Sequence, residues 1–348
     1  MPFPRSDLPT PALLLDVAAM DRNIAAMGGF AAERGLMLRP HAKTHKSAEI
    51  ARRQIAAGAV GICCAKLGEA EALAAEGVSD IHLTSPVVTP GGIARLTALA
   101  ARITISVVVD HPDNARALAE CGASLFVDVD PGVHRTGVTS PEAAVELAKV
   151  IGAIGGVQFY CGSEQHITRA ADRRAVLKEK FDYLRTVLGA LRDAGIAVPV
   201  VTGGGTGSFA IDAELGVLTE LQVGSYIFLD REYRDCELSG PVFEASLFVD
   251  SSVVSANMPG RVTIDAGLKA FAADAGVPVV MAGAEGRYAF MGDEQGAVIG
   301  DVLPGLAGRI TLMPPHCDPT VNLYDHYWIV EGDEVADCWA VTARGRST

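Results

Sequence analysis

A short basic stretch from Leu36 to Lys46 holds the side chains best suited to covalent chemistry in this chain. It reads Leu-Met-Leu-Arg-Pro-His-Ala-Lys-Thr-His-Lys, so an extended apolar run ends in a lysine placed among two histidines and an arginine. A lysine amine that is partly desolvated and close to other cations loses its proton more easily and becomes a nucleophile toward a carbonyl. Lys43 is therefore a candidate for forming a Schiff base. On these residues alone, a basic loop at a strand end is an equally good interpretation.

A glycine-rich run, Gly203 to Gly207, offers a seat for an anion. Backbone N–H groups of such a loop can converge on one phosphate, and the hydroxyls of Thr206 and Ser208 add further donors. The run lacks the G-x-G-x-x-G spacing of a dinucleotide site and the G-K-[ST] of a Walker loop. An ordinary glycine turn explains the run as well as a phosphate seat does.

A third group of polar residues lies in the segment from Pro314 to Asp325. If this segment is extended, residues two apart project to the same face, so His316 and Asp318 converge on one metal while Cys317 points away. Imidazole plus carboxylate leaves coordination positions open for water or substrate. Because no third protein ligand is evident, these residues alone favour a polar, proline-rich turn over a metal site.

Short apolar runs alternate with alanine-rich helical stretches through the first two thirds of the chain, and this alternation predicts a parallel sheet. The helical stretches include Asp16 to Gly35, with Asp16 as the cap and Gly35 as the stop. Eight such units favour a (β/α)8 barrel over an open doubly wound sheet. The predicted strand runs are Leu36 to Ala42, Gly61 to Leu67, Asp80 to Pro86, Ile103 to Asp110, Ser124 to Asp130, Gly156 to Cys161, Val198 to Gly203 and Leu218 to Leu229.

From about Leu238 onward, strands follow one another with Gly, Pro and Asp turns and without long helices between them. We therefore expect an α/β chain with a barrel over residues 12–237 and a β-domain over residues 238–348, completed by residues 1–11. The predicted strands of this domain are Val242 to Val254, Arg261 to Asp265, Val277 to Met281, Arg287 to Met291, Arg309 to Met313 and His326 to Val330.

The polar motifs fall where a barrel places its catalytic residues, at the carboxyl ends of the strands. Lys43 ends the first run, the loop 130–137 with Arg135 follows the fifth, and Tyr160 to His166 follows the sixth. The glycine run follows the seventh, and Gly224 and Ser225 lie in the eighth. Barrels often bind a phosphate at the loops after strands seven and eight. A candidate Schiff-base lysine and a phosphate seat at one barrel mouth suggest pyridoxal phosphate as cofactor.

Composition narrows the class of partner. The net charge of −13 argues against a nucleic-acid or anionic-membrane surface, and 49% hydrophobic residues provide a sizeable core, so we expect a small-molecule substrate. Seven scattered cysteines fit reduced thiols in the cytoplasm rather than a disulfide framework. No segment reaches the roughly 18 continuous apolar residues of a membrane span.

Together, these motifs resemble the D-threonine aldolase and eukaryotic-type D-serine dehydratase family of alanine-racemase-like pyridoxal-phosphate enzymes. The resemblance runs from Thr10-Pro-Ala-Leu-Leu-Leu-Asp16 to Asn322-Leu-Tyr-Asp325. Its most specific motifs are Arg39-Pro-His-Ala-Lys-Thr-His-Lys46 and Pro315-His-Cys-Asp-Pro-Thr-Val-Asn322. It implies a pyridoxal barrel, a β-domain, a divalent metal and a homodimer.

The resemblance also implies roles for single residues. It makes Lys43 the Schiff-base lysine, Arg135 the cofactor-side arginine and His166 a polar residue near the substrate. Tyr160 would lie beside the pyridine ring of the cofactor. The residues that would bind its phosphate are Gly204, Gly205, Thr206, Gly224 and Ser225. His316 and Asp318 would be the metal pair.

The metal motif separates two activities within the family. Dehydratases of this group carry His-x-Cys, whereas aldolases carry His-x-Asp, and this chain reads His316-Cys317-Asp318. A carboxylate favours manganese over zinc, with magnesium and cobalt as further possibilities. Relatives often carry a histidine in a Glu-Glu-His-Gly stretch where this chain reads Asp293-Glu-Gln-Gly296, so the surroundings of the site differ.

We therefore hypothesise a D-threonine aldolase that cleaves a D-3-hydroxy-2-amino acid into glycine and an aldehyde. The metal would bind the β-hydroxyl, and His166 or hydroxide on the metal would take its proton. One alternative is a D-serine or 3-hydroxyaspartate dehydratase, in which the metal assists loss of the hydroxyl. A second alternative is a non-catalytic pyridoxal-phosphate-binding protein, although such a protein has no use for His316 and Asp318.

Overall fold

The computed structural model describes residues 2–348 and begins with two strands of its second sheet, β1 (Phe3–Pro4) and β2 (Ala12–Leu15). Strand β2 lies in the middle of that sheet, where Leu13 pairs antiparallel with Val249 and Leu14 pairs parallel with Trp328. All four of its residues are buried. Residues 12–15, which the sequence assigned to the barrel, therefore pair within the second sheet and bury their apolar side chains there. We propose to keep the remainder of the barrel as predicted, up to residue 237.

Eight parallel strands form the first sheet. They are β3 (Met37–Leu38), β4 (Ile62–Cys64), β5 (Asp80–Leu83), β6 (Thr104–Val109), β7 (Ser124–Asp128), β8 (Gly156–Phe159), β9 (Val201–Gly203) and β10 (Glu220–Leu221). A parallel bridge between His41 and Cys63 joins the two ends of the sheet, and the Cys63 N–H donates to the Pro40 carbonyl at 2.8 Å. The sheet is thus closed, and the predicted (β/α)8 barrel is confirmed.

Nine helices precede, connect or follow these strands in the described part of the chain before the second sheet continues. They are α1 (Val17–Glu33), α2 (Ala48–Ala56), α3 (Leu67–Ala75), α4 (Pro90–Ala100), α5 (Pro112–Leu118), α6 (Pro141–Ile151), α7 (Ala170–Asp193), α8 (Phe209–Leu215) and α9 (Arg231–Arg234). Their starts follow capping chemistry: Asp16 accepts the Ala19 N–H at 2.9 Å, and Ser140 accepts the Ala143 N–H at 3.1 Å. Gly35, at a φ of +64°, follows α1 as predicted.

The second sheet has ten strands, because β1 and β2 join the eight that follow the barrel. These eight strands and one short helix are β11 (Leu247–Met258), β12 (Arg261–Ile264), β13 (Val279–Ala282), β14 (Glu285–Phe290), β15 (Gly296–Val302), β16 (Arg309–Met313), α10 (Cys317–Val321), β17 (His326–Glu331) and β18 (Glu334–Ala340). A β-domain after the barrel is confirmed, although β15 and β18 were not predicted. We propose to keep its start near residue 238, since no strand of either sheet lies between β10 and β11.

The two sheets share one hydrophobic core, and this packing brings α10 against the barrel mouth. The ring of Phe228, beyond β10, lies 6.0 Å from that of Tyr327 in β17. The buried Tyr327 hydroxyl donates to the His45 carbonyl at 2.6 Å, two residues after Lys43. Across residues 2–348, no helix is both long and apolar enough to cross a membrane.

Candidate active site

A cavity of about 740 Å³, measured out to its open mouth, lies at the carboxyl end of the barrel strands. It contains most of the residues that the sequence nominated. From the barrel loops, Lys43, Arg135 and Tyr160 line it. Of the predicted phosphate-binding residues, four line it as well: Gly205, Thr206, Gly224 and Ser225. Positions far apart in sequence thus meet at one place.

Lys43 lies in a tight turn directly after β3. The turn is fixed on both sides, because the Ala42 N–H donates to the Cys63 carbonyl at 2.8 Å and the Lys46 N–H donates back to the Ala42 carbonyl at 2.7 Å. The Lys43 N–H approaches Nδ1 of the buried His41 at 3.3 Å. The amine of Lys43 reaches across the cavity and donates to the Asp318 carboxylate of α10. The barrel and the second sheet therefore each contribute one member of this ion pair.

The ion pair decides the charge of both groups. Burial lowers the pKa of the Lys43 amine, but the charge of Asp318 and its hydrogen bond outweigh burial, so the net pKa lies above the ordinary lysine value. Burial raises the pKa of Asp318, but Lys43 and His316 outweigh it and hold that pKa well below its usual range. His41 stays neutral because burial, followed by the charge of Lys43, lowers its pKa well below 6.5.

The glycine run forms a compact loop between β9 and α8. Gly204 has a φ of +76°, and a Cβ on Gly205 would lie 2.5 Å from the side-chain oxygen of Gln165. The Ser208 hydroxyl accepts from the Gly205 N–H at 3.3 Å and from the Gln165 amide at 2.8 Å. The same hydroxyl donates to Asp212 at 2.5 Å, so hydrogen bonds attach the loop to helix α8.

Gly224 and Ser225 complete the opposite wall. They were predicted within the eighth strand run, but β10 ends at Leu221 and the two residues lie in the turn beyond it. A Cβ on Gly224 would lie 2.6 Å from the Thr44 hydroxyl, so this wall accepts only glycine without rearrangement. The Ser225 hydroxyl lies 3.5 Å from Asp318.

Tyr160 and Arg135 also line the cavity. The Arg135 guanidinium carbon lies 5.7 Å from the centre of the Tyr160 ring, within the range of a cation–π contact. Burial raises the pKa of Tyr160, so its phenol is neutral. Arg135 itself is exposed at the mouth.

His166 and His316 lie on either side of Glu232, a residue that the sequence did not nominate. The Glu232 carboxylate lies 3.9 Å from His166 Nε2 and 3.9 Å from His316 Nδ1. The pKa of His166 is lowered, chiefly by burial, and the pKa of Glu232 is raised by burial. For His316, burial lowers the pKa, but Asp318 and the hydrogen bond to Asp274 at 2.7 Å outweigh it and raise the pKa.

The local structure around His316 and Asp318 differs from the extended segment assumed from sequence. Residues Cys317–Val321 form α10, so the two-residue alternation of a strand does not apply there. Asp230 holds the start of this helix by accepting the Cys317 N–H at 2.8 Å. Cys317 is fully buried, and burial raises its pKa well above that of a free thiol. Of the three motif residues, Asp318 contacts the cavity lysine and His316 contacts Glu232 and Asp274.

A polar network that the sequence did not disclose forms the cavity floor. Gln158 and Gln222 line the cavity, and the Gln222 amide donates to the side-chain oxygen of Gln158 at 3.3 Å. His82 approaches the same oxygen at 3.2 Å, and the Gln158 amide donates to Asp128 at 3.0 Å. These residues lie in barrel strands or directly after one, and no motif in the sequence marked them.

Comparison with known families identifies the chain. The family model described as "Alanine racemase, N-terminal domain" matches residues 15–232, and the model described as "Putative serine dehydratase domain" matches residues 246–330. The chain belongs to the alanine racemase N-terminal domain family. The family resemblance read from the motifs is thereby confirmed.

Individual members of this alanine racemase-like family are similar over nearly the whole chain. A D-threonine aldolase of Arthrobacter sp. is 41% identical, over 99% of this chain and 95% of its own. A 3-hydroxy-D-aspartate aldolase of Paracoccus denitrificans (strain Pd 1222) is 37% identical, over 98% and 93%. The crystal structure of D-threonine aldolase from Filomicrobium marinum superposes with a TM-score of 0.94 at 36% identity, covering 99% of this chain and 98% of that one.

The cavity of this alanine racemase-like chain fits pyridoxal phosphate. Thr206 Oγ1 is buried at the glycine loop and has no hydrogen-bond partner among the described residues, as expected of a donor awaiting an anion. The Gly224 wall is kept free of side chain, and Lys43 is the cavity lysine that would bind the cofactor aldehyde.

If a divalent metal binds, His316 and Asp318 are the residues that would hold it. Asp274 bonds to His316 Nδ1, as carboxylates do behind metal-binding histidines, which leaves Nε2 as the ligand atom. Within residues 2–348, three or more His, Cys, Asp or Glu side chains do not converge as a ready-made metal cage. Any metal here would therefore take its remaining ligands from solvent or substrate.

Proposed function

We propose that this protein is a pyridoxal-phosphate-dependent carbon–carbon lyase that cleaves a D-3-hydroxy-2-amino acid into glycine and an aldehyde. The observation that carries the proposal is the contact between Lys43 and Asp318, because it joins the proposed cofactor lysine directly to a proposed metal ligand. The aldolases among the relatives bear out the aldolase predicted from the sequence. In D-threonine the bond that breaks is Cα–Cβ, and the aldehyde is acetaldehyde.

Each residue has a task in this proposal. Lys43 anchors the cofactor, Thr206 and the neighbouring glycines hold its phosphate, and Tyr160 and Arg135 flank its ring. Bound pyridoxal phosphate supplies the electron sink for the charge left at Cα. His316 and Asp318 would hold a divalent cation that acidifies the β-hydroxyl.

His166 is the proposed base for the β-hydroxyl proton. Its lowered pKa keeps the imidazole neutral at pH 7, which a proton acceptor requires. Glu232, 3.9 Å from its Nε2, stabilises the imidazolium that results. The β-carbon leaves as the aldehyde, and Cα takes up a proton to give glycine.

The reaction is tested by incubating the purified protein with pyridoxal phosphate, Mn²⁺ and D-threonine. We expect equimolar acetaldehyde and glycine, with L-threonine as the stereochemical control. Formation of 2-oxobutanoate without acetaldehyde would instead establish a dehydratase. That second candidate is favoured by the serine dehydratase domain match over residues 246–330. A bound cofactor with no product from any 3-hydroxy amino acid would point to a non-catalytic binding protein.

We further propose manganese as the resident metal, a homodimer as the assembly and the cytoplasm as the location. The carboxylate of Asp318 favours manganese, with magnesium, cobalt and zinc as alternatives. All seven cysteines are free, which suits a reducing compartment. Metal analysis of the isolated protein and sedimentation velocity test the first two points.

A further inference from the structure

Arg173, in the first turn of α7, is the largest fully buried side chain of the described residues. Its guanidinium donates to two backbone carbonyls, those of Ile167 and Glu237. It forms no ion pair with any carboxylate in residues 2–348, and Nε has no partner there. A buried charge without a counter-ion is costly, so its retention calls for a specific reason.

The two carbonyls belong to the two segments that carry the candidate proton-transfer groups. Ile167 directly follows His166, and Glu237 ends the segment that contains Glu232 and Tyr233. The Glu237 N–H also donates to the Thr168 carbonyl at 2.8 Å. Arg173 and this backbone contact thus fasten the two segments together behind the cavity.

At the cavity, the same two segments face each other through side chains. The His166 ring lies 4.8 Å from the Tyr233 ring, and His166 Nε2 lies 3.9 Å from Glu232. Because the His166 side chain is only partly buried, with 38% exposed, and makes no short hydrogen bond in the described structure, its position depends on the backbone of its loop.

We propose that Arg173 is a positioning residue whose buried guanidinium holds His166 in register with Glu232. That the position of His166 matters for proton transfer rests on the proposed function. The contacts of Arg173 that hold this position do not depend on it. Arg173 touches no group that binds cofactor or substrate. Lysine cannot replace it fully, because a single ammonium lacks the planar fork that reaches two carbonyls at once.

The kinetic test compares Arg173→Lys and Arg173→Met with Arg174→Met. Arg174 is the adjacent residue of α7, but it is half-exposed and pairs with Glu214 on the surface. We expect both Arg173 variants to lower kcat for D-threonine cleavage, by up to about 100-fold, because the base is misplaced. KM and cofactor absorbance should stay near wild type, since Lys43 and the glycine loop are untouched. Arg174→Met should behave as wild type.

A second readout does not depend on activity. The His166 ring protons are expected to be shifted in the NMR spectrum by the Tyr233 ring, and a His166→Asn spectrum assigns them. Loss of that shift in Arg173→Lys, with the other histidine signals unchanged, supports the proposal even if the protein cleaves no 3-hydroxy amino acid. Unchanged His166 signals together with wild-type kcat in a folded Arg173→Lys protein would reduce Arg173 to a structural role. If Arg173→Met does not fold, the lysine variant decides alone.

Discussion

The Lys43 ammonium donates to the Asp318 carboxylate, although the two residues lie 275 positions apart, one in a barrel loop and the other in helix α10. Each charge of this pair offsets the other. It also holds the amine in its protonated, non-nucleophilic form, since the pKa of Lys43 is raised above the ordinary lysine value. Asp318 therefore restrains the amine as well as serving as a candidate metal ligand.

Replacing Asp318 by Asn should consequently accelerate cofactor capture while abolishing metal-dependent turnover. Without the carboxylate, burial prevails and the pKa of Lys43 falls, so more amine is neutral at pH 8, by about tenfold per pKa unit. Stopped-flow absorbance after mixing with pyridoxal phosphate measures the capture rate. Asp274→Asn is the control, because Asp274 contacts His316 and not Lys43. Slower capture in Asp318→Asn would contradict the role of the pair.

Activity should depend on pH through His166. A base works in its neutral form, and burial lowers the pKa of His166 below 6.5, so kcat/KM should rise with pH to a midpoint below 6.5 and stay level above it. His166→Asn should lower kcat by about 100- to 10,000-fold and remove this limb, while cofactor absorbance persists. The measurement is a pH–rate profile of both proteins. An unchanged acidic limb in His166→Asn would assign the base to another group.

Gly224→Ala should weaken cofactor binding by about tenfold or more. The added Cβ would lie 2.6 Å from the Thr44 hydroxyl and 3.2 Å from the His41 carbonyl, and a backbone carbonyl cannot move aside easily. Gly189→Ala, in α7, is the matched control, since its Cβ would have only Arg192 nearby, at 3.9 Å. Fluorescence titration of the cofactor-free proteins gives both affinities, and equal values would remove Gly224 from the cofactor wall.

Stability should fall with pH because of Asp212 beneath the glycine loop. Burial raises the pKa of Asp212 from 3.8 to about 7, so the folded protein retains a proton that the unfolded chain releases. Its contribution is complete below pH 3.8 and is lost as the pH rises through about 7. Asp212→Asn should flatten the decline in Tm between pH 5 and 8. The free energy of unfolding that the wild type loses over this range through Asp212 is on the order of 1 to 4 kcal/mol. Asp301→Asn, on the exposed end of β15, should keep the wild-type slope.

The barrel was predictable because its signals are local. Most of the eight strands lie within short apolar runs, such as Thr104 to Val109, and caps such as Asp16 mark where helices begin. Strand β15 was not predicted because its glycines interrupt the apolar pattern. Strand β18 was not predicted because Glu334 and Asp337 interrupt that pattern in the same way. The location of β2 depended on partners more than 200 residues away, which no local pattern contains.

The residues of the candidate site likewise fall into those that the sequence could predict and those that it could not. Lys43, Thr206 and His316 stand in distinctive motifs, so they could be nominated before any fold was known. Glu232 lies in a short helix among other charged residues, and nothing in that pattern separates it from a solvated surface. Arg173 likewise resembles the exposed arginines beside it in α7. Their importance arises only from what the folded chain places around them.

Strand β2 has a consequence for how the protein matures in the cell. Its buried residues 12–15 are synthesised more than 230 residues before their partners in β11 and β17. The barrel strands, which pair mainly with their neighbours in sequence, can assemble during that interval. Strand β2 can therefore pair with β11 only after the barrel strands have been made. Because Asp318 lies between β11 and β17, the candidate site also becomes complete only after the barrel strands have been made.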